Sequence, residues 1–204
     1  MEASISTVPG YRMNDYRIVI NPHTDLQNKV ADIRTQFCKD YRIVSNGGYK
    51  PSVTIVRFSQ LEMFEPKIIN RLKQIALGFP PFKVELRDFG SFPSHTIYIN
   101  IVSKIPVQNL TKEIRRDTQR LMKSSDENKP HFILEPFIPI ASKLKPWQYE
   151  KGWLEFSNRH FTSRFIADSM LLLKRPAEKK SWQILQRFEF MNLPVSTKQG
   201  ELFV

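Results

Sequence analysis

A chain of 204 residues with 41% hydrophobic and 12% aromatic content can fill the core of one domain, or of two small lobes that share a core. It has no run of about 18 apolar residues to span a membrane, its start lacks the basic-then-apolar order of a signal peptide, and its single cysteine, Cys38, excludes an intramolecular disulfide framework, so cytoplasm is the expected compartment. A formal charge of +11 favours polyanionic partners such as RNA or nucleotides, although a solvated basic surface has the same composition.

Residues 1–14 mix Ser, Thr, Pro and Gly without periodicity and read as a flexible leader to a single domain over 15–204. Asp15 to Ile20 alternates polar and apolar, which predicts a strand closed by Asn21-Pro22. Leu26, Val30, Ile33 and Phe37 form the stripe of an amphipathic helix that Thr24 can cap. Asn46-Gly47-Gly48 then turns the chain into a β-rich strand from Lys50 to Val56. A second helix carries Ile68, Leu72, Ile75 and Ala76 and stops at Gly78, ahead of Pro80-Pro81. Phe82 to Leu86 and His95 to Ile101 alternate with period two and predict antiparallel strands joined through Gly90 to Ser94.

The second half repeats this order. Leu110, Ile114 and Leu121 mark a helix, Phe137 to Ala141 a short strand, and Pro146 to His160 a helix begun by proline in its first turn. Arg164 to Leu173 and Trp182 to Phe190 predict two last strands, separated by the turn-rich Pro176 to Lys180. Overlaying the halves, about 15–105 and 106–190, at an offset of 85 sets Pro51-Ser52-Val53-Thr54-Ile55 against Pro136-Phe137-Ile138-Pro139-Ile140. A unit built twice buries its exposed apolar face against its copy. The expected fold is therefore α+β and bilobal, a pseudo-twofold duplication with two facing, largely antiparallel sheets, helices outside and a cleft between intertwined lobes.

These two segments carry a resemblance to a known family. The chain resembles the two-histidine (2H) phosphoesterases, the superfamily of 2′-5′ RNA ligases and cyclic phosphodiesterases, whose members have two strands reading Pro, His, apolar, Thr, apolar about eighty residues apart. The resemblance runs from about Asp15 to Phe190, and Lys143 to Lys151 with His160 to Asp168 are similar to a bacterial branch. It implies that one imidazole acts as base and the other as acid, while the Thr hydroxyls hold phosphate oxygens. At the matching positions this chain has Ser52 and Thr54, then Phe137 and Pro139. Of the quartet only Thr54 is kept.

A serine hydroxyl titrates far above neutral pH, Phe137 has no transferable proton, and Pro139 has neither hydroxyl nor backbone donor. Losing a general acid or base typically costs about 10²- to 10⁴-fold each. The expected function is a pseudoenzyme that binds a phosphorylated ligand, an RNA end or a nucleotide, through Ser52 and Thr54, with Lys50, Arg57, Lys143 and Arg164 as candidate charge partners. An alternative is an altered phosphodiesterase using His131, 79 residues after Ser52 and preceded by Pro130, or His95, although each also reads as a structural or surface histidine. A third is a non-catalytic scaffold whose cleft Phe137 closes.

His23 and His160 fall at a helix start and a helix end, where capping or solvent accounts for them. Trp147, Tyr149, Trp153 and Phe156 have the spacing of helix packing first and of a base-stacking platform second. The scattered glycines make no phosphate loop, and no Cys or His cluster has zinc spacing, so neither cofactor nor metal is expected.

Overall fold

In a computed structural model of the chain, the described residues are 10–44, 50–179 and 181–194. Their elements run β1 (Met13–Ile20), α1 (Thr24–Asp40), β2 (Val53–Leu61), α2 (Glu65–Gly78), β3 (Phe82–Phe92), β4 (Thr96–Ile101), α3 (Lys104–Met122), β5 (His131–Phe132), β6 (Phe137–Ser142), α4 (Pro146–Phe156), β7 (Thr162–Ala167), β8 (Ser169–Pro176) and β9 (Gln183–Glu189). The expected turn at Asn46 to Gly48 lies outside the described residues, as do positions 1–9 of the expected leader. Met13 and Asn14, also assigned to the leader, are the first residues of β1.

The helices form where the apolar stripes fall. Leu26, Val30 and Phe37 are buried on α1, and Ile68, Leu72, Ile75 and Ala76 on α2. Two ends differ from expectation. Thr24 does not cap α1: the chain is extended at His23, so Thr24 is already helical, and the His23 carbonyl takes the Gln27 N–H at 3.0 Å with no side-chain cap. The last helix stops at Phe156 instead of His160, because Ser157 to His160 are all exposed and supply no apolar residue to continue the buried face.

Two sheets result, β5-β2-β1-β8-β9 (sheet A) and β6-β4-β3-β7 (sheet B), with every pairing antiparallel. The single strand expected from Arg164 to Leu173 is two strands. β7 pairs with β3 in sheet B, β8 pairs with β1 and β9 in sheet A, and the chain crosses between the sheets at exposed Asp168. Both segments are apolar enough to read as one run. Only the partners on either side distinguish them.

The duplication appears as two units, β1-α1-β2 and β4-α3-β6, in each of which the second strand pairs with the first. Each unit covers the other's sheet. Helix α1 joins two strands of sheet A yet packs on β6, where Arg34 Nη1 donates to the Ile140 carbonyl at 2.5 Å. Helix α3 joins two strands of sheet B yet packs on β2, where Gln60 Nε2 donates to the Leu121 carbonyl at 2.8 Å. α4 completes the cover of sheet B by packing on β4, and α2 that of sheet A by packing on α3 and β9. Among the described residues, the opposite face of each sheet carries no helix.

One polar network fastens α2 to sheet A. Tyr16 stacks on Phe58 at 5.0 Å and donates its hydroxyl to Glu65 at 2.6 Å, while Lys174, opposite Tyr16 on β8, reaches Glu65 at 2.6 Å and Glu62 at 3.0 Å. Burial works against the charged Lys174, but the two carboxylates outweigh it and raise its pKa above the ordinary value. The stabilisation is thus fully present below the ordinary lysine pKa of about 10.4 and is lost as pH rises through the higher native value. Lys174→Met is expected to lower the free energy of urea unfolding by about 2 kcal/mol at pH 7. The difference from wild type should shrink in strongly alkaline buffer.

Candidate functional site

A β-bulge sets which residues of β2 share a face. Thr54 lies opposite Val19, Val56 opposite Ile18 and Arg57 opposite Arg17, so Ile55 is the extra residue. Thr54, Arg57 and Ser59 therefore point to the helix-free side of sheet A, whereas Val53, Ile55, Val56 and Phe58 are buried. Ser52 precedes the strand and, like Thr54, is half-buried. The turn before it is held by Gln27, whose Nε2 donates to the Pro51 carbonyl at 3.3 Å.

In sheet B, Phe137 lies opposite Asn100 and Pro139 opposite Tyr98, while Ile138 and Ile140 are buried under the helices. Phe137 belongs to an aromatic cluster on the helix-free side, 4.8 Å from Tyr98 and 5.2 Å from Phe92, with Tyr98 and Phe92 themselves 4.8 Å apart. Gly90 lies opposite Tyr98, and a Cβ there would fall 2.6 Å from both the Tyr98 ring and Asn100 Oδ1. The ring is seated on bare backbone. Strands β2 and β6 touch, so Thr54, with Ser52 just before its strand, lies on one side of a contact whose other strand carries Phe137 and Pro139.

The remaining candidates are dispersed. Lys50 is exposed two residues before Ser52, and Lys143 is exposed just after β6 at a φ of 57°. Arg164 sits on β7, opposite Glu85, three strands from β6 and hence about 14 Å away across the sheet. His131 is on β5 directly opposite Arg57, which gives it the same face as Thr54. His95 does not begin a strand as expected: it is exposed in the turn before β4, with Nδ1 3.2 Å from the Phe92 carbonyl. His160 is exposed 3.4 Å from Asp88, and Cys38 is buried.

The cluster that the sequence reading missed, apart from Arg57, lies further along sheet A. Arg17 and Arg57 are opposite each other, and Arg175 is opposite Asp15. With Trp182 and Lys129 they line a cavity of about 260 Å³. Arg17 lies over the Trp182 ring at 4.1 Å and Arg175 at 5.0 Å. Asp15 accepts from Arg175 at 2.5 Å and from Ser59 at 2.7 Å. Burial alone would raise the Asp15 pKa, and these two donors outweigh it and hold the carboxyl below its usual range. Arg17 is pushed down to about 10, first by burial and then by the charges of Arg57 and Arg175. Alternation with Asp15 and Val19 on β1 put Arg17 on one face, but its partners are fixed by pairings across most of the chain.

A duplicated strand-helix-strand unit whose second strands meet is the architecture of the 2H phosphoesterases. The chain belongs to the 2′-5′ RNA ligase superfamily, whose family model matches residues 21–179. Similar solved structures include Escherichia coli LigT complexed with 3′-AMP, at a TM-score of 0.64 and 13% identity, and LigT in apo form, at 0.63 and 11%. The protein TT0787 of Thermus thermophilus scores 0.63 at 13% identity. Each alignment covers 87% of this chain and 98% of the other. At such identities the likeness shows the fold alone. Among curated proteins none matches the chain.

The seat of Tyr98 is testable. Gly90→Val is expected to lower stability by about 1–3 kcal/mol through overpacking and to alter the near-ultraviolet circular dichroism as the Phe92, Tyr98 and Phe137 rings separate. An unchanged spectrum with wild-type stability would mean that the ring does not rest on this glycine.

Proposed function

We propose that this protein binds a phosphorylated nucleotide or RNA end between its two sheets and does not run the two-histidine reaction. The observation that carries the reading is the contact between β2 and β6, together with the residues that these two segments carry. Thr54 on β2 and Ser52 just before it offer hydroxyls from one side, and Phe137 is packed into an aromatic cluster on the other. Hydroxyls can donate to phosphate oxygens but do not ionise near neutral pH. A reaction that needs one group to remove a proton and another to deliver one lacks both at these positions.

Support for the ligand class comes from the fold and its neighbours. E. coli LigT has been solved with 3′-AMP bound, and the basic residue nearest to Thr54 along this face is Arg57. Lys50 and Lys143 are the next candidates for charge contacts. Arg164 is the weakest, since it stands on the far edge of sheet B opposite a glutamate. One observation favours a second reading, an altered phosphodiesterase. His131 shares the face of Thr54 and lies beside Arg57, although a lone imidazole supplies only one of the two proton transfers.

Calorimetric titration of 3′-AMP is expected to show binding that Thr54→Ala weakens about tenfold or more, the cost of a hydrogen bond to a charged group. No turnover of 2′,3′-cyclic nucleotides should accompany it. Robust hydrolysis that disappears in His131→Ala would replace this reading with the second.

Restoring the motif provides an independent test. Ser52→His with Phe137→His and Pro139→Thr should return partial phosphodiesterase activity, limited because catalytic geometry must be held to about half an ångström. A folded triple variant with no activity would indicate that these positions are not the family's catalytic ones.

A further inference from the structure

We infer that Arg17, Arg57 and Arg175, gathered around Trp182 on the helix-free face of sheet A, bind a phosphodiester group of single-stranded RNA. The arrangement makes poor sense as a device for stability. Arg17 and Arg57 are directly opposite on adjacent antiparallel strands, where like charges destabilise the pairing. Among the described residues neither makes a hydrogen bond or ion pair with a carboxylate. Arg17 is moreover partly buried, which is costly for a charge, and the attraction of Asp15 is outweighed by that burial together with the repulsion of Arg57 and Arg175. The one carboxylate in the cluster, Asp15, is already engaged by Arg175 and Ser59.

An anion resolves each of these conflicts. Stacking on Trp182 fixes the guanidinium of Arg17 by its face, which leaves the N–H groups at its edge available for phosphate oxygens. Lys129 lines the same cavity, and His131 adjoins Arg57 on the edge strand. The site therefore offers several donors to one compact, fully ionised group. A phosphodiester fits this better than a peptide carboxylate, because three guanidiniums converge on a cavity of only about 260 Å³.

RNA is favoured over free phosphate by position. Arg57 follows Thr54 by three residues on the same face but, because of the bulge, faces a β1 residue only two from Thr54's partner, about 7 Å along the sheet. A strand whose end sits by Thr54 would carry a later phosphate over the arginines. That path rests on the reading proposed above, whereas the anion site rests on its own geometry.

The test uses the full chain and the anisotropy of a labelled oligouridylate at several salt concentrations. Arg17→Gln and Arg57→Gln should each weaken binding about tenfold and reduce the slope of log affinity against log salt by about one. Each should also leave thermal stability unchanged or raised, since a like-charge pair is removed. Wild-type affinity and slope in both variants would overturn the inference. So would inorganic phosphate binding as tightly as the oligomer, which would leave a free-phosphate site, or polyglutamate competing as well as RNA, which would point to an acidic protein. Thr54→Ala separates the two readings. Weakening by Thr54→Ala with Arg17→Gln silent sinks this inference alone, and weakening by Arg17→Gln with Thr54→Ala silent sinks the cleft reading alone.

Discussion

Neither strand-helix-strand unit can bury itself. Helix α1 is tethered to β1 and β2 by its ends, but its apolar stripe lies against β6 and α4 of the other half, with Phe37 edge-on to Phe156 at 5.2 Å. Gly152 of α4 leaves room for the Phe37 ring, which a Cβ there would meet at 2.7 Å. The reciprocal contact of α3 with β2 covers the other sheet. Because each half supplies the cover for the other's sheet, the second strands of the two units are brought together at the centre, and the opposite sheet faces are left without a helix among the described residues. The relation between Ser52 and Phe137 follows from this exchange more than from any local feature of either segment.

The two helix-free faces are chemically unlike. Sheet B presents rings, Phe92, Tyr98 and Phe137, packed against one another over a glycine. Sheet A presents guanidiniums that crowd one another around an indole. A fold duplicated in backbone has thus become asymmetric in its surface. The aromatic side gains from packing, while the basic side carries electrostatic cost that a bound polyanion would offset.

Much of the architecture was legible from periodicity. The stripes of α1, α2 and α3 and the paired segments around Ser52 and Phe137 follow directly from which positions are apolar. Four features were not. The break at Asp168 is invisible because both flanking runs are apolar and only their partners differ. The bulge at Ile55, which puts Thr54 and Arg57 on one face although they are three residues apart, depends on the partner strand β1. The cluster of Arg17, Arg57 and Arg175 arises from cross-strand register, with residues 14–19 of β1 paired to residues 171–176 of β8. Tyr98, seated beside Phe137, escaped notice for the same reason.

That last pairing bears on how the chain reaches its fold. β1 is the middle strand of sheet A, yet one of its two neighbours is among the last strands of the chain. Until β8 arrives, β1 has an open hydrogen-bonding edge, and contacts this distant in sequence slow folding and prolong such exposure. Asp15 and Arg17 are spaced along that edge between apolar residues, where charge opposes pairing with a second chain. Arg17, which helps to make the finished sheet face basic, therefore also places a charge on the strand while it waits for its partner.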